Sequence, residues 1–457
     1  MYQNQNASPL TNQSIVASVP NHRPLRVGLL GLGTVGGGTY RVLRRNAQLI
    51  ADRAGRRIEI SMVAVRDLER AVAVVDEDVM LTDDPFRVVQ HPDLDVIVEA
   101  IGGTTIAREL VLLSIAAGKH VVTANKALLA LHGTEIFSAA RAQGVMVAYE
   151  GAVAVSIPII KALREGLTAN RINWVAGIIN GTTNFILSKM KSNGLDFDTA
   201  LQEAQRKGYA EQDPAFDIDG IDAAHKLALL ASNAFGIPLQ FGCVHVEGIR
   251  AVEQRDVAFA KRLGFAIKLL GIAQRTADGI SLRVQPALIP SDNLLAHVQG
   301  SMNAVMVHSD AAGLTMYYGA GAGSEQTASA VIADLVDVSR FMDIAHQQRV
   351  PFLAFQESAM ARQPMVAYAD VCSSYYLRID LRNGAQGLPE LDQLLCNAGV
   401  QLVQKELLAH QDTPDAPSVL LLTAPGSKYK IDELITAIEQ QAGVVGAVKL
   451  MRVERLN

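Results

Sequence analysis

From Leu25 to Leu30 the chain reads LRVGLL, apolar apart from Arg26, and after a glycine-bearing break apolar positions recur at Tyr40, Leu43, Ala47 and Ile50. The first spacing predicts a buried strand and the second an amphipathic helix. The alternation continues. RIEISMVAV predicts a strand ending at Arg66-Asp67, DLDVIVEAIGG one ending at Gly102-Gly103, and KHVVTANKALLALHG one that breaks at Ala124-Asn125-Lys126. Strands separated by helical stretches predict βαβ units and a parallel sheet. From Glu150 the rhythm changes. AYEGAVAVSIPIIKALREG reads as strand, turn and a helix entered through Pro158, and INWVAGIINGTTNFILSKM as an apolar strand that breaks at Asn180 to Asn184 before a helix. Gly208 to Gly220 has no helical period and contains Pro214, which predicts a loop. Ile221 onward predicts a helix with Leu227, Leu229 and Leu230 on its apolar side.

Composition narrows the class. With 457 residues, two or three domains are expected. Aromatic residues make up 5% and the formal net charge is -5, which argues against a stacking surface or basic footprint for nucleic acid. Three cysteines, Cys243, Cys372 and Cys396, show no paired spacing and fit a reducing, cytoplasmic setting. No apolar run is long enough for a membrane span. The first 22 residues lack the basic start and apolar centre of a signal peptide, and residues 1–24 are expected to be a disordered tail.

The candidate chemistry falls at the breaks. Gly31-Leu-Gly33-Thr34-Val35-Gly36 stands between a predicted strand and helix, the context that the dinucleotide fingerprint requires. Gly31 permits the tight turn, Gly33 lets the backbone approach a pyrophosphate, and Gly36 lets helix and strand pack closely. At the second strand's tip, Asp67 suits the 2'-hydroxyl of NAD and Arg66 the 2'-phosphate of NADP; with Arg66 first, NADP is the preferred cofactor and NAD the alternative. Gly102 and Lys126 lie at strand ends, where ligands bind in such sheets. Gly181 and Thr182 open a helix, where backbone N–H groups can hold an anion; the competing reading is a structural cap by threonine. Asp222 and Lys226 are four apart and share a helical face, which by itself is an ordinary ion pair.

The segment G-Y-A-E-x-D-P-x-x-D-x-x-G-x-D-A-A-x-K-L, from Gly208 to Leu227, resembles the signature of homoserine dehydrogenases. The GLGTVG fingerprint, V-T-A-N-K-A-L from Val122 to Leu128, N-G-T-T-N from Asn180 to Asn184, and the stretch from Gly321 to Arg340 agree in the same order. The resemblance implies reversible hydride exchange between a nicotinamide and L-homoserine, giving aspartate 4-semialdehyde. It implies that Glu211 and Asp217 receive the substrate's ammonium, with Gly181 and Thr182 also at the substrate. It puts Lys226 and Lys126 forward as acid or base, Lys226 first, with Asp222 orienting it. It also implies a monovalent cation, sodium, held by Glu150 and the carbonyls of Val153, Val155 and Ile157. Here the sequence departs from the family: Val155-Ser156 stands where two glycines are usual, and Ala320 where proline is common, which predicts a looser loop at Gly319 to Gly323.

The tail from 370 to 457 has the order βαββαβ and resembles an ACT domain, which implies threonine as effector or a purely dimer-forming role. Its turn, RNGAQGLPE, departs from the acidic-x-Pro-Gly pattern. The expected architecture is α/β: a Rossmann-type domain over 25–150 completed by a helix over 321–345, a central α+β catalytic and dimerisation domain over 151–320, a linker over 346–369 and the ACT-like domain. A homodimer or homotetramer is expected, and a monofunctional chain, since too little precedes Arg26 for a fused kinase. Competing readings are another amino-acid dehydrogenase on the same front domain, and a non-catalytic amino-acid sensor, for which only the altered cation loop speaks.

Overall fold

The computed structural model describes residues 23–382, 388–408 and 417–456. The expected N-terminal tail, 1–22, and the turn at 383–387 lie outside the described residues. Six parallel strands come first: β1 (Leu25–Leu30), β2 (Ile58–Ala64), β3 (Met80–Thr82), β4 (Val96–Glu99), β5 (His120–Thr123) and β6 (Val147–Ala148), in the order β3-β2-β1-β4-β5-β6. The order reverses between β1 and β4, which opens a crevice at their carboxyl ends. The amphipathic stretch after β1 is two helices rather than one. Thr34–Arg45 ends at Asn46, whose ψ of 20° turns the chain before Ala47–Ala54 begins. Asparagine competes with its own backbone for hydrogen bonds and so favours such breaks.

The helix that completes this domain runs Ser324–Phe341, inside the expected 321–345. Ala328, Val331, Leu335 and Val338 join Val27, Leu29, Tyr40 and Leu43 in one apolar cluster. Arg45 also grips Glu325 through two bonds of 2.9 and 3.0 Å.

The second sheet begins with β7 (Ile172–Ile178), β8 (His245–Val246), β9 (Phe265–Arg275), β10 (Ile280–Pro290), β11 (Met302–Ser309) and β12 (Gly313–Ala320). The tail supplies β13 (Ser374–Leu381), β14 (Leu402–Leu408), β15 (Ser418–Thr423) and β16 (Val444–Val453), with helices Leu388–Asn397 and Lys428–Glu439 in the expected βαββαβ order. The sequence pattern does not announce that both units share one sheet. The order is β12-β11-β7-β9-β10-β16-β13-β15-β14, and Arg452 and Val453 pair with Ala287 and Leu288 on β10. Two buried ion pairs fasten the junction: Arg283 to Glu454 at 2.9 Å and Arg378 to Asp256 at 2.7 Å. A buried pair fixes register more than it stabilises, since desolvation offsets much of the attraction.

The stretch 346–369 is no loose tether. Phe352 stacks on Phe137 with centroids 5.4 Å apart, and its carbonyl accepts from Tyr149 at 2.6 Å. The expected loop from Gly208 to Gly220 contains a short helix, Ala215–Ile218, with Pro214 at its N-cap. Proline lacks an N–H that the start of a helix does not use, so it begins this turn rather than forbidding it. No described helix is long and apolar enough to cross a membrane.

Candidate active site

The crevice between β1 and β4 is a cleft of ≈1020 Å³. Gly31, Gly33 and Thr34 form one wall, Arg66, Asp67 and Arg70 the second, and Gly102 and Ile106 the third. Gly31 has φ 92°, open to glycine at little cost. A Cβ on Gly36 would stand 2.0 Å from the Gly31 carbonyl, whereas one on Gly33 would meet nothing within 4 Å. So Gly36 serves the close packing and Gly33 faces open space, as a pyrophosphate site needs. Val35 does not line the cleft; it packs against the apolar cluster below. Arg41, which sequence reasoning missed, lines it too and donates to Ser324 Oγ at 3.1 Å. The Asp67 carboxylate accepts from the Arg70 N–H at 3.0 Å and so caps its own helix, leaving the guanidinium groups of Arg66 and Arg70 at that wall, with Arg41 also lining the cleft.

Glu99, at the end of β4, is buried and shapes the third wall. One oxygen accepts from the N–H groups of Ile101 and Gly102 (3.1 and 3.0 Å), and the other from Thr123 Oγ1 at 2.6 Å. Asn125 then ties this wall to the next helix. It donates to the Gly103 carbonyl at 2.7 Å and caps Lys126–Gln143 by accepting from Leu128 at 3.1 Å. Lys126, the first residue of that helix and expected at the cofactor, does not itself line the cleft; its ammonium turns to the second domain.

Helix Ile221–Phe235 brings the other half of the site, buried from Asp222 onward. Asp222 Oδ2 accepts from Lys226 Nζ at 2.6 Å, and Asp222 Oδ1 lies 3.1 Å from Lys126 Nζ. One carboxylate thus bridges two lysines from different domains. Lys226 Nζ also donates to the Ile179 carbonyl at 2.9 Å. Burial would raise the Asp222 carboxyl, but Lys226 and Lys126 outweigh it and hold it at about 2. Burial lowers the Lys226 ammonium, the nearby charge of Lys126 adds to this, and Asp222 opposes both.

Asn180 is the hub that sequence reasoning overlooked. It caps helix Gly181–Asn193 by accepting from Thr183 at 2.9 Å, the role expected of a threonine. Its amide donates to Asp217 Oδ1 at 2.7 Å and Asp222 Oδ2 at 2.9 Å. Thr182 Oγ1 lies 2.7 Å from the Tyr209 carbonyl and 3.1 Å from Asp217 Oδ2. Burial, and then the charge of Asp222, raise the Asp217 carboxyl. Glu211 is exposed and its carboxylate stays outside this hydrogen-bonded cluster. Lys126 Nζ stands 5.7 Å from the Phe216 ring, a cation–π contact that no spacing rule announces.

At the loop after β6, both Glu150 oxygens are engaged by backbone N–H groups, of Ile160 at 2.9 Å and Lys161 at 2.8 Å. The Ile157 carbonyl accepts from Ile159 at 2.8 Å. Val155 adopts φ 53°, so the chain keeps the left-handed turn that a glycine would take there. The expected looseness at Gly319 to Gly323 is not seen. Ser156 Oγ donates to the Ala320 carbonyl at 2.8 Å, and Gly321 packs so closely on buried Asn303 that a Cβ would stand 2.3 Å from its Oδ1.

Residues 31–150 match the family model described as homoserine dehydrogenase, NAD binding domain, and residues 158–336 that of homoserine dehydrogenase. The chain is 53% identical over 439 residues to a homoserine dehydrogenase of Pseudomonas aeruginosa, covering 95% of this chain and 100% of that one. A crystal structure of a homoserine dehydrogenase from Thiobacillus denitrificans superposes with a TM-score of 0.90 at 52% identity, covering 95% and 99%. A hyperthermophilic archaeal homoserine dehydrogenase in complex with NADPH gives 0.58 at 25% identity, covering 69% and 97%. Likeness of this extent runs through both the cleft and the bridged lysines, and the chain belongs to the homoserine dehydrogenase family, as an NAD(P)-dependent oxidoreductase acting on a CH–OH group.

Proposed function

We propose that Lys226 is the proton-transferring group in the interconversion of L-homoserine and aspartate 4-semialdehyde. The carrying observation is the Asp222 carboxylate shared by Lys226 and Lys126 beside the dinucleotide cleft. Gly31, Gly33 and Arg66 would hold a nicotinamide dinucleotide in the cleft, and when bound it would supply hydride acceptance from, or donation to, the substrate carbon. In oxidation, neutral Lys226 accepts the hydroxyl proton as the C–H bond breaks; in reduction, its ammonium gives that proton to the aldehyde oxygen. Burial and the neighbouring Lys126 charge make the neutral form accessible, and Asp222 holds the ammonium in place between turnovers. Lys126 polarises the reacting oxygen.

Asp217 and Glu211 receive the substrate's ammonium, and the Gly181-Thr182 helix start receives its carboxylate. Arg66, helped by Arg41 and Arg70, favours the 2'-phosphate of NADP over NAD, because Asp67 is occupied as a helix cap. A hard monovalent cation, sodium, suits Glu150 with the carbonyls of Val153, Val155 and Ile157, an all-oxygen donor set whose turn survives at Val155. The C-terminal unit, whose strand and helix order suits an ACT-like module, serves as a seat for an amino-acid effector such as threonine in a homodimer or homotetramer.

The test is absorbance of reduced nicotinamide with L-homoserine and either NADP⁺ or NAD⁺, with and without sodium. Faster turnover with NADP⁺, stimulated by sodium, supports the reaction, the NADP preference and the cation; the Lys226→Ala variant tests the proton transfer. Equal rates with both nucleotides remove the role of Arg66, and sodium-independent rates remove the cation.

A further inference from the structure

Far along helix Gly181–Asn193 from its substrate end, a separate cavity of ≈480 Å³ opens between that helix, the end of helix Gln254–Arg262 and the turn before β11. Lys189, Lys191 and Lys261 line it, with Ser188, Ser192 and Gly300. In a chain of net charge -5 this concentration of ammonium groups is out of proportion. Glu203 is the carboxylate that answers it, and it is shared by Lys189 at 2.8 Å and Lys207 at 3.5 Å. Lys191 and Lys261 have no ion-pair partner among the described residues.

The floor adds a second, independent feature. Buried Ser188 accepts from the Gly300 N–H at 3.1 Å, which leaves its own hydroxyl proton for another acceptor. Lys268 does not itself line the cavity; it is 1% exposed and donates to two neutral oxygens, Asn184 Oδ1 at 2.9 Å and the Val298 carbonyl at 2.5 Å, with no ion-pair partner among the described residues. Burial, and then the charge of Lys191, push Lys268 down to about 7. Two ammonium groups without a counter-charge at the rim, with a third lysine near enough for the Lys191 charge to depress it, make a site short of an anion.

We propose that this cavity binds a phosphate group, either inorganic phosphate or the phosphate ester of a small metabolite. Phosphate offers several acceptor oxygens and up to two charges, which suits ammonium donors from two helices and a serine hydroxyl from the floor. A carboxylate, with one charge and two oxygens, satisfies the same donors less completely.

The test is calorimetric titration of the full chain with inorganic phosphate and, separately, with glycerol 3-phosphate. Saturating NADPH is present so that the Arg41, Arg66 and Arg70 wall is filled. The expected result is one site, weakened by about 100-fold in Lys191→Ala/Lys261→Ala, about tenfold per lost charged donor, with acetate binding far more weakly. Stronger binding of one arm identifies the source of the phosphate. Both lysines lie toward the surface and outside the dehydrogenase machinery, so retained homoserine oxidation verifies that the variant is folded. No binding by the parent chain, or equal binding by the double variant, overturns the site.

Discussion

Lys226 Nζ stands 2.6 Å from Asp222 Oδ2, one helical turn back, so the lysine is oriented by the group that most resists its loss of a proton. Burial works the other way, and so does Lys126 on the far oxygen of the same carboxylate. The site is a balance of three charges, and each can be altered alone.

Lys226→Ala is expected to lower kcat for homoserine oxidation by about 10²- to 10⁴-fold, the usual contribution of a general acid or base. NADP affinity, measured by fluorescence titration, should stay within about twofold, because the lysine lies outside the cleft walls. Turnover near that of the parent chain would transfer the role to Lys126.

Asp222→Asn should move the pH profile as well as its height. Asp222 raises the Lys226 ammonium against burial, so its neutral replacement lets Lys226 shed its proton at lower pH. The acid limb of kcat/KM for oxidation is expected to shift downward, while kcat falls about 100-fold from the lost positioning. A profile that keeps its limb would mean that Lys226 is not the titrating group.

Arg66→Ala should weaken NADP by about tenfold and leave NAD nearly unchanged, as befits a guanidinium that reads a phosphate. Asp67→Ala should do little to either nucleotide and cost about 1 kcal/mol of stability through the lost cap. Chemical denaturation and nucleotide titration of the two variants separate these effects.

Val155→Gly is expected to raise stability by about 1 kcal/mol, since a β-branched residue at φ 53° is held in a strained region. The response of turnover to sodium should be the same in this variant as in the parent chain, because the turn is unchanged. A fall in thermal midpoint of several degrees would mean that packing of the valine outweighs its strain.

Asp334 provides a stability test. It lies fully buried beside Glu150, and burial, then the charge of Glu150, push its carboxyl up to about 8 from an ordinary 3.8. Between those values the folded protein keeps a proton that the unfolded chain has released, so stability falls as pH rises from about 4 to about 8. Asp334→Asn should flatten the dependence of the thermal midpoint on pH across that window and raise the midpoint at pH 8. An unchanged slope would show that the carboxyl is ionised.

The periodic segments were legible. Strands β1, β2, β4 and β5 fall where alternating runs of apolar residues place them, because buried parallel strands tolerate few polar positions. Asp222 and Lys226 were legible as a helical pair, and the motif order gave them their chemistry. Residues that act through long-range contacts were not. Asn180 looks like one more polar residue in a loop, yet it binds Asp217 and Asp222, 37 and 42 positions away. Glu99, at the end of β4, and Asn125, at a helix cap, likewise act through bonds to the Ile101–Gly103 turn that form only in three dimensions. The break at Asn46 was missed because the apolar period runs on through it, and Pro214 was misread because a proline marks a boundary without saying which side of it the helix takes.

The pairing of Arg452 and Val453 with β10, and of Glu454 with Arg283, bears on how the protein is made. A ribosome delivers residues 280–290 long before residues 452–454, so β10, paired by β8 only at Arg283 and Val284, waits with its edge at Ala287 and Leu288 bare while the tail is synthesised. Exposed strand edges invite pairing with other chains. A truncation just before that strand is expected to aggregate more readily than the full chain, which light scattering of the two proteins at equal concentration checks.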